Sequence, residues 1–61
     1  MNADVERLKD EGNKLVAEKR FVQAHKKYTE ALKLDENNAV ILSNRAACSI
    51  SLKRLAHLEV E

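Results

Sequence analysis

The sequence predicts an all-α fold of three helices, and three observations carry that prediction. Proline is absent from the 61 residues and glycine occurs once; Ala, Leu, Lys, Glu and Arg, strong helix formers, fill most positions. Apolar side chains recur at steps of three, four or seven, the spacing of one helix face. The densest cluster of turn-forming residues is Asp35-Glu36-Asn37-Asn38, whose side chains compete with the helical backbone and cap the helix that follows.

The first helix is expected over about residues 2–18, where Val5, Leu8, Leu15 and Val16 fall on one stripe with Gly12 between them. A glycine inside a helix costs about 1 kcal/mol against alanine, so its place in the middle of KDEGNK needs a reason. At Glu18-Lys19-Arg20 the apolar phase resets, although no glycine or aspartate is there to make a tight turn. The second helix is expected over 21–34, with Phe21, Ala24, Tyr28, Ala31 and Leu32 on one face. The third is expected over 38–58, with Leu42, Ala46, Ser49 and Ile50 as its stripe and Ile41, Leu52, Leu55 and Leu58 widening the apolar surface. Lys53-Arg54 give no turn signal, so this helix is expected to run straight on.

Displaced by 34 residues, the chain matches itself. Leu8 meets Leu42, Gly12 meets Ala46, Val16 meets Ile50, Lys19-Arg20 meet Lys53-Arg54, and Phe21 meets Leu55. The two small residues share a phase. That accounts for the glycine: a small residue lets a neighbouring helix approach closely, and the packing gained can outweigh the propensity lost.

A helical hairpin repeating every 34 residues is the tetratricopeptide pattern, and the sequence resembles that family in detail. Leu8, Gly12, Leu15, Ala24, Tyr28 and Ala31 stand where the family prefers a large, a small and an apolar residue, then alanine, an aromatic and alanine. The run YTEALKLDENNA resembles its second helix and inter-repeat turn. Glu36 replaces the proline common in that turn, and Lys19-Arg20 replace a frequent Gly-Asp. The resemblance implies a single domain over 1–61, with one repeat in 1–38 and the first helix of a second, truncated repeat in 39–61. Such repeats cover one another's apolar faces, so Ile41, Ile50, Leu52, Leu55 and Leu58 are expected to lack part of their cover. Burial of such side chains is worth about 1.5–3 kcal/mol each. The expectation is self-association into a homo-oligomer through the third helix.

Tetratricopeptide arrays are binding scaffolds, and this chain resembles the chaperone-binding adaptors among them. That subgroup reads the free C-terminal carboxylate and acidic tail of the large heat-shock chaperones. Its signature is a lysine three before the small residue of the first repeat, an asparagine directly after it, and Asn-Arg in the next repeat. Lys9, Gly12, Asn13 and Asn44-Arg45 match it. The resemblance therefore implies a peptide-binding site of Lys9, Asn13 and Asn44, with charge from the lysine and directed hydrogen bonds from the amides. Lys9 and Asn13, four apart, share a helix face. In the subgroup a lysine and an arginine from a third repeat complete the clamp, so the site implied here is partial. Arg45 is expected to be structural, paired with Glu11 or Asp10.

The composition narrows the alternatives. A formal net charge of +1 with interspersed signs gives no footprint for nucleic acid. No apolar run approaches the roughly 20 residues that span a bilayer. His25, Cys48 and His57 lack metal-ligand spacing, and one cysteine allows no internal disulfide. Nothing assembles a nucleophile, a base and an oxyanion donor. The expectation is a cytoplasmic, non-enzymatic interaction module without cofactor or metal. The alternative is a structural self-association module whose clamp residues are unused.

Overall fold

The computed structural model describes the backbone of residues 3–60 and the side chains of residues 3–54. Three helices follow in order: α1 (Ala3–Ala17), α2 (Phe21–Leu34) and α3 (Ala39–Val60). The fold is all-α, as the sequence predicts, with α1 and α2 forming a hairpin. α2 packs against both neighbours, and α1 and α3 meet only narrowly. α3 has 22 residues, about 33 Å at the usual rise per residue. It is longer than either arm of the hairpin and passes Lys53-Arg54 without a turn.

The first turn solves the missing-glycine problem at a cost. Arg20 N–H donates to the Leu15 carbonyl at 2.8 Å and Lys19 N–H to the Val16 carbonyl at 2.9 Å. These are the two bonds of a Schellman ending, which satisfies carbonyls that α1 would otherwise leave open. The motif needs a left-handed residue, and Lys19 supplies it with φ of 62°, a conformation that strains any side chain with a Cβ. The second turn follows the sequence reading. Asp35 N–H closes α2 on the Ala31 carbonyl at 3.0 Å. Asn38 then caps α3, its Oδ1 accepting from Ile41 N–H at 3.1 Å and its carbonyl from Leu42 N–H at 3.0 Å. This is the bonding of an N-cap asparagine.

The core is one cluster: Val5 and Leu8 from α1, Ala24, Tyr28, Ala31 and Leu32 from α2, Ile41 and Cys48 from α3. Leu15, Val16 and Phe21 pack at its edge. The stripes expected for the first two helices face it. Gly12 sits against the ring of Tyr28 from α2: a Cβ there would lie 2.5 Å from Cε1 of Tyr28. The close approach is a ring laid on the α1 backbone.

The stripe expected for the third helix is corrected. Ile41 is fully buried rather than uncovered, while Leu42 and Ile50 are 41% and 57% exposed and Ala46 is exposed too. Asn38 sets the start of α3 so that Ile41 and Cys48, seven apart, meet α2. Leu42, Ala46 and Ile50 then face away. Their repeat partners Leu8 and Gly12 are buried in the hairpin and Val16 is half-buried. The open face of α3 is thus the one that α2 covers on α1. Leu52 is half-buried, and the expectations for Leu55, His57 and Leu58 lie outside the described side chains.

Candidate functional site

Lys9 and Asn13 come from α1 and Asn44 from α3. The two helices meet narrowly, and the asparagines lie at that meeting: Asn44 Nδ2 donates to Asn13 Oδ1 at 3.2 Å. The same Oδ1 accepts the Tyr28 hydroxyl of α2 at 2.5 Å. One side-chain carbonyl therefore ties together all three helices. Asn13 is exposed and Asn44 half-buried, whereas Tyr28 is only 1% exposed. The bond thus runs from the core to the surface.

Lys9 is not joined to this pair. Its Nζ lies 2.9 Å from Glu6 Oε2, one turn back on α1. The hydrogen bond to Glu6, reinforced by the charges of Glu6 and Asp10, holds the Lys9 ammonium above its ordinary pKa. It is therefore fully charged near neutral pH. One of its three N–H donors is engaged with Glu6, which leaves the others for a ligand.

A cavity of about 170 Å³ opens beside the two amides, floored by Val16, Phe21, Tyr28 and Cys48. Donors at the rim and apolar carbon below suit a chain end that carries an anion next to an apolar side chain. Cys48 belongs to the floor as packing: it is 2% exposed, and burial pushes its thiol pKa up, away from nucleophilic character. Burial likewise raises the Tyr28 phenol, with a smaller contribution from Cys48. A wider cleft of about 600 Å³ lies at the first turn, between Lys19, Arg20, Phe21 and Leu52. Its cations are exposed, and Arg20 is 3.5 Å from Glu18. No set of donors converges there as it does at Asn13 and Asn44.

The expected pairing of Arg45 is not found. Glu11 instead faces Lys27 of α2, with Nζ 3.4 Å from Oε1. That oxygen is shielded from solvent and has no hydrogen-bond partner, so the pair acts through charge alone. Glu11 lies on the side of α1 that meets α2, out of reach of the narrow contact with α3. No ion pair of Arg45 occurs among the described residues.

Two side chains of the candidate site escape the sequence reading. Tyr28 reads as core from its helical spacing, and its ring is core; only its hydroxyl, bonded 15 residues away, belongs to the site. The available signal is a tyrosine rather than a phenylalanine at a core position facing the glycine that precedes Asn13. Glu6 is the other, and its signal is local: an acid three residues before Lys9 on the same face.

No family model matches the chain, and no solved structure matches it. Its sequence is 45% identical over 49 residues to sperm-associated antigen 1A of Danio rerio, covering 80% of this chain and 12% of that protein. Identity is 49% over 51 residues to small glutamine-rich tetratricopeptide repeat-containing protein 2 of Saccharomyces cerevisiae, covering 84% of this chain and 15% of that one. It is 53% over 38 residues to serine/threonine-protein phosphatase T of the same yeast, covering 62% and 7% respectively. The chain spans between 7% and 15% of the length of these relatives, so the activity named for the third is not carried over with the match. In sequence and in fold the chain is tetratricopeptide-like: a helix–turn–helix hairpin followed by a third helix, similar to part of these longer proteins.

Proposed function

We propose that the chain is a protein-interaction module that takes the acidic C-terminal peptide of a heat-shock chaperone through Lys9, Asn13 and Asn44, in the cytoplasm. The observation that carries this reading is the hydrogen bond between Asn13 and Asn44, which sets two amides at one point beside an apolar cavity. With its carbonyl bonded inward, Asn13 turns its N–H donors outward, where a carboxylate can accept them. Lys9 adds charge from the same face of α1. Charge-assisted bonds contribute about 1.5–3 kcal/mol each, and this site is largely open to water. Binding to a short peptide is therefore expected near the millimolar range, about 4 kcal/mol.

The test is a titration of a short Glu/Asp-rich peptide with a free C-terminus, followed by fluorescence anisotropy, against the same peptide amidated. The free acid is expected to bind several-fold more tightly, and Lys9→Ala should weaken its binding. Equal binding of both peptides would refute the reading.

A second reading has its own observation. Leu42 and Ile50, with Ala46 between them, form an open apolar face on α3, and Val40, 58% exposed, extends the apolar surface of the helix. We infer that two copies associate through this face. Light scattering behind a sizing column, over a dilution series, should give a mass above that of one chain. A monomer throughout would rule the association out.

A further inference from the structure

The geometry points to Tyr28 as a positioning residue that makes the site selective for a free carboxylate over an amide; this rests on the reading just proposed. An asparagine side chain has one face that accepts and one that donates, and it can rotate to present either. Here the choice is set from below. Asn13 Oδ1 is 2.5 Å from the Tyr28 hydroxyl. That separation suits O–H···O and is too short for N–H···O, which begins near 2.7 Å. The atom facing Tyr28 is therefore the oxygen. Its second lone pair is taken by Asn44 Nδ2 at 3.2 Å. With both lone pairs committed, the Asn13 amide can offer only N–H groups outward.

The hydroxyl holds this orientation because the ring beneath it cannot move. Tyr28 is 1% exposed, and its ring lies on the Gly12 backbone so closely that not even a Cβ fits between. Orientation of the ligand-facing amide is thus settled before the ligand arrives, which removes an ordering cost from binding. The outward surface, two N–H donors from Asn13 and the ammonium of Lys9, carries no acceptor from Asn13. A carboxylate accepts from every one of these groups. A C-terminal amide presents its own N–H donors against them and finds no partner for those donors on Asn13.

Tyr28→Phe keeps the ring on Gly12 and removes only the hydroxyl. Asn13 can then rotate and show its oxygen to the ligand. Titrated with a short Glu/Asp-rich peptide, the variant should lose about three- to tenfold in affinity for the free acid, and its ratio of free-acid to amide affinity should fall toward one. Helix content by circular dichroism should stay unchanged, which separates the effect from a loss of fold. If the parent chain discriminates acid from amide and Tyr28→Phe discriminates equally, the positioning role is overturned while the carboxylate reading stands. If the parent chain does not discriminate, both fall together. A measurement on the unsubstituted chain stands apart from folding of the variant. By proton NMR the Tyr28 hydroxyl hydrogen should exchange slowly with water and the Asn13 side-chain amide hydrogens quickly. A fast hydroxyl, or a protected Asn13 amide, overturns the orientation itself.

Discussion

Replacing Gly12 with alanine tests how the hairpin closes, because two effects of opposite sign meet there. By helix propensity alone the change should stabilise α1 by about 0.8–1 kcal/mol. The structure predicts the reverse. The new Cβ would lie 2.5 Å from Cε1, 2.8 Å from Cδ1 and 2.9 Å from Cζ of Tyr28, where ordinary contact begins at 3.4 Å. Relief requires the ring or the whole of α2 to retreat by several tenths of an ångström. The ring has little freedom to do so, being buried with its hydroxyl bonded to Asn13. Overpacking of this kind costs about 1–3 kcal/mol. After the propensity gain, Gly12→Ala should destabilise the chain by up to about 2 kcal/mol. For a chain of this size that is a large fraction of the total stability.

Urea unfolding followed by far-UV circular dichroism measures this directly, with the midpoint moving down at constant slope. Repeating the substitution in a Tyr28→Leu background isolates the cause. With the ring gone the clash goes too, and Gly12→Ala should become neutral or stabilising there. A raised midpoint for Gly12→Ala in the parent chain would refute the account of the close approach.

Three further outcomes follow from particular residues. Lys19→Gly should raise stability by about 0.5–1 kcal/mol, because glycine adopts the left-handed conformation without strain; a thermal midpoint raised by a few degrees supports this, and a lowered one contradicts it. Glu6→Gln should raise free-acid peptide affinity about twofold by releasing the Lys9 ammonium from a local pair, read in the same anisotropy titration; weaker binding would mean that Glu6 positions Lys9 rather than competing for it. Stability should fall above about pH 9. Cys48 and Tyr28 both have their pKa raised by burial, so in alkali the unfolded chain loses its protons first. The loss begins near the ordinary thiol value and continues past the ordinary phenol value, and Cys48→Ala should remove its early part in a series of urea midpoints against pH.

Local signals made the hairpin readable. The stripes on α1 and α2 have one apolar face each, and Asp35 to Asn38 make a turn whose cap chemistry is explicit. Gly12 was readable because a repeat 34 residues long gave it a small counterpart in Ala46. α3 was harder because its apolar residues lie around the helix on more than one side. Ile41 and Leu42 are adjacent and alike, and nothing local decides which one enters the core. The decision comes from the phase that Asn38 sets and from where α2 lies. Asn13 and Asn44 were legible as a pair through resemblance alone. Their shared bond and the Tyr28 hydroxyl beneath it depend on three helices meeting. The lysine that accepts a left-handed backbone at position 19 was likewise hidden, since the sequence lacked the glycine that normally announces such a turn.

On the proposed reading, Asn13 and Asn44 form one donor site for a free carboxylate. The most direct measurement is a titration of the isotope-labelled chain, watching the side-chain amide resonances of both asparagines by NMR. With a Glu/Asp-rich peptide ending in a free acid, the account predicts that both pairs of resonances move together along one binding curve. The amidated peptide should leave them nearly still. Equal movement with both peptides, or movement elsewhere on the chain while Asn13 and Asn44 stay fixed, would contradict it.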